Sequence, residues 1–230
     1  LCGVLILGLQ APYFSLWAQG VDLRVPPEIE DTPIIVILVE ETLTKNRKLY
    51  EKIKRYEADV SNTLNAQTVR VEIPRDSDPY EIYEGLAHLY HSGLRLDGKT
   101  QLEGVILVGE IPLPVVETQN QFWPTIYPYV DFENQRYRWD LDAERFVLSG
   151  GHKNIEPEIW HGVIRSFADS ASDREEELIK YFESNHEIHL GKGNFSRRVF
   201  FLNPEEQLNA LPKEFVDRCP PNVGADACYS

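Results

Sequence analysis

The chain has 230 residues, of which 42% are hydrophobic and 26% are charged, a composition typical of a globular protein with a substantial core. This length suffices for one large domain or two small ones. The formal net charge of −14, from 37 acidic and 23 basic residues, argues against nucleic acid as the main partner, because the phosphate backbone would be repelled.

The N-terminal segment is apolar, but its stretch at 1–9 is too short to cross a bilayer as a helix. It resembles the hydrophobic region of a secretory signal that lacks its basic start, with a cleavage point after Ala18. A buried first strand is the alternative. We expect residues 1–19 to be a truncated signal peptide of a protein exported to the periplasm, the cell surface or the extracellular space. Contact with a membrane is expected only through this segment.

The three cysteines fall at the two ends of the chain. Cys2 lies within the expected signal, whereas Cys219 and Cys228 form a C-x8-C pair. In an exported protein such a pair suggests a disulfide, and two unrelated thiols are the alternative. A zinc site is not expected, because the spacing does not fit and no partner ligands cluster nearby.

Residues 20–33 contain prolines and acids without periodicity and are predicted to be a linker. The run "IIVILVE" at 34–40 is apolar and β-branched, which predicts a strand buried on both faces, as in a parallel sheet. A helix is predicted next, because apolar residues recur at spacings of three and four. They are Leu49, Ile53, Tyr56, Val60 and Leu64.

A second β–α pair follows. "TVRVEI" at 68–73 alternates like a strand, and Asp78 with Pro79 gives the cap and first turn of a helix that Gly93 closes in a left-handed conformation. Val105 to Val108 form a third buried strand. The order β-α-β-α-β predicts an α/β fold with a mostly parallel sheet flanked by helices, in a Rossmann-like three-layer arrangement.

The later part of the chain continues this pattern after a long aromatic and acidic loop. "PEIWHGVIR" at 157–165 is a candidate strand, and a capping box from Ser172 to Glu175 starts a helix that buries Leu178, Ile179 and Phe182. "RRVFFLN" at 197–203 is another candidate strand. Residues 34–230 are therefore expected to form a partial α/β domain that is incomplete at its C-terminus.

The signatures of common α/β enzymes are missing from the sequence. It contains no G-x-G-x-x-G, Walker A, H-E-x-x-H or G-x-S-x-G pattern, so dinucleotide, nucleotide, zinc-peptidase and α/β-hydrolase functions lack their usual anchors. No cofactor is expected to be required.

Four acidic residues crowd the aromatic loop: Asp131, Glu133, Asp140 and Asp142. Such carboxylates could hold a structural calcium ion, although no EF-hand spacing is present. A solvated acidic loop pinned by its aromatic residues is the alternative. A carboxylate pair for glycoside hydrolysis is a further one, since sequence does not set the distance between the groups.

His161 is the histidine with the most suggestive neighbour, because it precedes Gly162. A His-Gly pair at a strand end presents the general base in caspase-like cysteine peptidases, where it works with a thiolate. Here apolar residues flank the pair on both sides, which predicts a position within a strand. His161 is thus a candidate catalytic residue, and a partly buried, hydrogen-bonded structural histidine is the alternative.

The series of blocks from about residue 100 to 203 resembles the first half of a gingipain-type cysteine peptidase domain. The blocks are "GVILVGEIPLP", a Tyr/Asp-rich loop, "PEIWHGVIR", the helix "EEELIKYFESNH" and "RRVFFLN". The family resembles the caspases in fold and usually has Asp where this chain has Glu110.

This resemblance implies a cysteine endopeptidase that acts on peptides or proteins through a Cys-His pair. In the family that pair lies on later strands, so the catalytic residues are expected downstream of this chain, which alone should be inactive. The loop after Gly109 and Glu110 would build or brace a peptide-binding cleft. The alternative is a non-catalytic binding or structural module of the cell surface that keeps the same fold.

Overall fold

The computed structural model of the protein describes residues 32–93, 100–118, 121–133, 136–148 and 157–192. Several sequence predictions lie outside the described residues. They are the signal peptide at 1–19, most of the linker at 20–33, the strand at 197–203, and Cys2, Cys219 and Cys228.

A four-stranded parallel sheet lies at the centre of the described residues. Its strands are β1 (Ile34–Glu40), β2 (Gln67–Ile73), β3 (Leu102–Val108) and β8 (Trp160–Ile164). They are arranged in the order β2-β1-β3-β8, and each neighbouring pair is parallel. The predicted α/β fold with a mostly parallel sheet is thus confirmed.

Helices cover both faces of this sheet. A short helix α1 (Glu41–Thr44) leads into α2 (Arg47–Leu64), which packs with α4 (Ala171–His189) on one face, and α3 (Pro79–Ser92) packs on the other. Side chains of β1 alternate between these faces and are all buried, so the prediction of a strand buried on both faces is confirmed. No described helix has the length and apolarity that a membrane crossing requires.

The chain divides into two units, Leu1–His189 and Leu190–Ser230. The first contains both the parallel sheet and its helices. Of the second, only residues 190–192 are described.

Polar side chains cap the starts of α2 and α3. Asn46 caps α2 by accepting hydrogen bonds from the backbone N–H groups of Lys48 and Leu49. Asp78 caps α3 by accepting from the N–H of Tyr80, with Pro79 at the first helical position as predicted. The capping box predicted at Ser172 is wrong. Helix α4 begins at Ala171, and the hydroxyl of Ser170 accepts from the N–H of Asp173.

The conformation predicted for Gly93 is also wrong. Gly93 follows α3 with a φ of −90°, in an extended rather than a left-handed conformation. Its carbonyl accepts a hydrogen bond from Gln101, and a Cβ at this position would come within 2.9 Å of the Gln101 side chain. A side chain here would require the Gln101 side chain to shift, because that segment approaches Gly93 closely.

The segment between β3 and β8, predicted to be an irregular loop, contains a second sheet. Its strands are β4 (Val115–Thr118), β5 (Gln121–Pro124), β6 (Tyr137–Asp140) and β7 (Arg145–Leu148), in the order β5-β4-β7-β6. Two antiparallel hairpins are joined by a parallel contact between β4 and β7. Each strand has four residues and places only two on each face, which is too few for a detectable alternation.

Aromatic side chains attach this second sheet to α3. Phe146 is fully buried and meets the ring of Tyr83 edge-on at 5.1 Å between centroids. Trp139 stacks on Tyr80 at 4.7 Å. Trp139 and Phe146 of the second sheet therefore build a small core with Tyr80 and Tyr83 of α3.

Candidate functional site

Charged residues collect where the four parallel strands end. Glu40 is the last residue of β1, Arg75 follows β2 by two residues, Glu110 follows β3 by two, and Arg165 comes directly after β8. Because parallel strands have their carboxyl ends at one edge of the sheet, these four side chains meet there. This carboxyl edge is where open α/β sheets usually bind ligands.

Glu40 lies at the centre of the group and is 1% exposed. Its carboxylate accepts hydrogen bonds from Nε of Arg75 at 2.6 Å, from the backbone N–H of Glu110 at 2.9 Å, and from the hydroxyl of Thr42. Burial alone would raise the pKa of Glu40, but these hydrogen bonds and the charge of Arg75 outweigh it, so the pKa lies below its usual value of 4.5. Glu40 is thus held as a buried carboxylate.

Glu110 lies between the two arginines. Its Oε2 is 3.4 Å from Nη1 of Arg75, and its Oε1 is 3.6 Å from Nη2 of Arg165. Two arginines therefore flank two carboxylates along the edge, and the ion pairs connect Glu40 to Arg75, Arg75 to Glu110 and Glu110 to Arg165, so the four charges balance. The side chains of Arg75 and Arg165 are 42% and 41% exposed, so both reach solvent.

Gly109 explains how an apolar strand can run into this polar corner. Its φ is +88°, which glycine adopts readily and other residues rarely adopt. Its N–H donates to the carbonyl of Ile164 at 2.9 Å, and the turn at Gly109 lets the next N–H, that of Glu110, reach Glu40. A Cβ on Gly109 would lie 2.8 Å from Oε2 of Glu40, so only glycine fits.

A cavity of about 30 Å³ lies beside these residues. A cavity needs roughly 10 to 15 Å³ of such accessible space to hold one water molecule. It is lined by α1, the start of α4 and the strand ends, and Glu40, Glu110, Arg75 and Arg165 all contribute to it. The carboxyl edge thus offers an ion-pair network beside a small polar cavity. Ser166 also lines this cavity, and its hydroxyl donates to the carboxylate of Glu177 at 2.5 Å.

His161 lies in the middle of β8, where it pairs with Val105 of β3. The prediction of a position within a strand is confirmed, whereas the alternative of a partly buried histidine is wrong, because the side chain is exposed. No cysteine is among the described residues. The arrangement gives His161 no thiol partner in the described part of the chain.

Replacing His161 with alanine should leave the fold and any peptidase activity of the protein unchanged. The side chain is exposed on a strand and lies away from the carboxyl edge, so its loss should change the free energy of unfolding by less than about 0.5 kcal/mol. Urea unfolding and peptide hydrolysis of the variant check this. A large loss of hydrolysis with unchanged stability would show that His161 is catalytic.

The four acidic residues that could hold calcium have different surroundings. Asp131 is 4% exposed, and Glu133 accepts a hydrogen bond from the hydroxyl of Tyr90 at 2.6 Å. Asp140 accepts from the N–H groups of Asp142 and Ala143, which closes the turn between β6 and β7. The described residues contain no group of three or more metal-ligating side chains. Calcium binding therefore stays a prediction.

Glu40 and Arg75 at the carboxyl edge were not singled out by the sequence, whereas Glu110 was noted through its position after Gly109. One available signal was Glu40, a carboxylate that ends an otherwise apolar buried strand, because such a charge requires a partner. Arg75 gave no comparable local signal.

No family model, curated protein or solved structure matches this chain. The resemblance to gingipain-type peptidases thus rests on the order of the sequence blocks alone. The fold rests on the parallel sheet and its helices.

Proposed function

We propose that the chain is the N-terminal part of an exported gingipain-like cysteine endopeptidase domain, with its catalytic histidine and cysteine supplied downstream of this chain. The position of Gly109 and Glu110 supports this proposal, because they end a central parallel strand at the edge where α/β proteins bind ligands. The resemblance to gingipain-type peptidases implies that the loop after these two residues builds or braces a peptide-binding cleft.

In this proposal the described residues brace the peptide-binding cleft. The buried carboxylate of Glu40 holds the backbone after β3 and the guanidinium of Arg75 in fixed positions. Arg165 connects the end of β8 to the same network through Glu110. A cleft needs rigid walls, because a displacement of about 1 Å in bound substrate can cost about a hundredfold in rate.

The test is peptide hydrolysis by the protein translated from its complete reading frame, with and without blocking of thiols by iodoacetamide. We expect hydrolysis that iodoacetamide abolishes, and no hydrolysis by the 230-residue chain alone. A protein from the complete frame that shows no thiol-dependent hydrolysis would overturn the proposal.

Matched controls are the variants Cys219→Ser and Cys228→Ser. If the nucleophile lies further along the chain, both variants should keep full activity. Loss of activity in one of them, with an unchanged melting temperature, would place the nucleophile within this chain instead.

The second candidate is a non-catalytic binding or structural module of the cell surface. It is favoured by one observation: the charged groups at the carboxyl edge compensate each other in ion pairs and hydrogen bonds. Such a module would give no thiol-dependent hydrolysis in the complete protein, so the same assay separates the two candidates.

A further inference from the structure

The order of the parallel strands reverses between β1 and β3. Strand β2 lies on one side of β1, whereas β3 and β8 lie on the other. Open α/β sheets bind ligands in the crevice outside the carboxyl ends of the strands, at the point where such a reversal occurs. Glu40 ends the first of these two strands and Glu110 follows the second, so this part of the carboxyl edge is where a ligand is expected.

The two arginines at this edge are held without using all of their hydrogen-bond donors. Nε of Arg75 is fixed by the buried carboxylate of Glu40 at 2.6 Å. The guanidinium of Arg165 lies over the ring of Phe167, 5.4 Å from its centroid, and no described residue accepts a hydrogen bond from it. A guanidinium group has several N–H donors, so both arginines keep donors for a ligand.

The carboxylate of Glu110 lies between these guanidinium groups without a hydrogen bond to either. Its oxygens are 3.4 Å from Nη1 of Arg75 and 3.6 Å from Nη2 of Arg165, whereas charge-assisted hydrogen bonds of this kind are about 2.7 to 2.9 Å long. The side chain is 33% exposed. The backbone of Glu110 is held separately, through its N–H to Glu40. The carboxylate can therefore turn into solvent while the backbone stays in place.

We infer that Arg75 and Arg165 bind the carboxylate of a ligand, and that Glu110 occupies this site until the ligand displaces its side chain. A ligand that is not tethered to the chain can approach both guanidinium groups to hydrogen-bond distance, which Glu110 does not reach. A singly charged carboxylate replaces Glu110 charge for charge. A phosphate carries more negative charge and is disfavoured in a chain whose net charge is −14. The inference goes beyond the proposed peptidase function, because this site requires no catalytic residue.

The experiment compares acetate with acetamide, which has a similar shape and no charge. Each is titrated into the 230-residue chain at constant ionic strength, with acetate replacing chloride, and followed by ¹H–¹⁵N NMR. We expect saturable shifts of the N–H signals of Glu110 and Arg165 with acetate, with a Kd of about 10 to 100 mM, and none with acetamide. No saturable binding of acetate at about 300 mM would overturn the inference, as would equal effects of the two compounds.

Three variants locate the site. Glu110→Ala removes the internal occupant and should bind acetate about tenfold more tightly, because the ligand no longer competes with a side chain. Arg165→Gln should abolish binding, whereas Arg138→Gln, at an exposed position of the second sheet, should leave it unchanged. Acetate binding that is no tighter in Glu110→Ala, or that persists in folded Arg165→Gln, would refute the inference. The first of these tests holds even if Arg165→Gln does not fold.

A second probe distinguishes two sources of the carboxylate. N-acetylglycylglycine presents the carboxylate at the end of a short peptide, whereas acetate presents it on a small acid. Tighter binding of the peptide would assign the site to a peptide terminus, and equal binding would assign it to a small acid. Both results support a carboxylate site, and neither depends on hydrolysis, so the inference and the proposed peptidase function can fail separately.

Discussion

Replacing Glu40 with alanine should lower the free energy of unfolding by about 3 kcal/mol, because removal of one partner leaves buried polar groups uncompensated. The N–H of Glu110 and Nε of Arg75 would both lose their acceptor. Part of the cost is relieved because Arg75 reaches solvent. Urea unfolding followed by circular dichroism measures the change, since the midpoint shifts at constant slope when only stability is altered.

Glu110→Ala is the matched control at the same edge. The side chain of Glu110 is 33% exposed, so water can replace it at Arg75 and Arg165, and its backbone N–H to Glu40 is retained. We expect a loss below about 1 kcal/mol. Equal losses in the two variants would mean that Glu40 is not the centre of the network.

The contribution of Glu40 should also depend on pH in a defined direction. Burial opposes ionisation of Glu40, but the hydrogen bonds from Arg75, Thr42 and the N–H of Glu110 hold its pKa in the folded protein below the usual 4.5. A carboxyl group with a lowered folded-state pKa contributes stability above its unfolded pKa and loses it as the pH falls through the folded value. The stability difference between the natural protein and Glu40→Gln should therefore be constant at neutral pH and shrink below about pH 4.5. A difference that stays constant down to about pH 3 would contradict the assigned hydrogen bonds.

The parallel sheet could be predicted because its elements are long and strongly patterned. Ile34–Glu40 is a continuous apolar run, and the apolar stripe of α2 extends over four turns, so each local signal agrees with the final packing. Leu64, at the end of that stripe, is 48% exposed, which shows that the pattern is less reliable at helix ends. The second sheet was not predicted, because its strands are short and their hydrophobic contacts are made with α3.

The candidate site depends on which strands are neighbours. Glu40 and Glu110 belong to adjacent strands β1 and β3, and Arg165 joins them only because β8 lies next to β3. These contacts bridge 70 residues between Glu40 and Glu110, and no local pattern records them. The end of β3 at Gly109 could be recognised from the sequence. The contacts of Glu110 with Glu40 and Arg165 could not.

Two separate costs would arise from a side chain at Gly109. A non-glycine residue in the left-handed region costs roughly 1 to 2 kcal/mol. In addition, a Cβ would lie 2.7 Å from Cδ1 of Leu43 and 2.8 Å from both Cβ and Oε2 of Glu40. Leu43 and Glu40 are buried, so neither can move without disturbing the core, and such overpacking costs roughly 1 to 3 kcal/mol.

Gly109→Ala should therefore lower the free energy of unfolding by about 2 to 4 kcal/mol. Urea unfolding of this variant should be compared with that of Gly162→Ala, where the added methyl group meets only Ile106 at 3.9 Å and φ is not positive. The control should change stability by less than about 1 kcal/mol, since its methyl group enters open space. If both variants lose the same stability, general intolerance of the sheet to side chains at glycine positions would explain the result. A loss confined to Gly109→Ala would instead show that the left-handed turn after β3, packed against Glu40 and Leu43, requires a glycine.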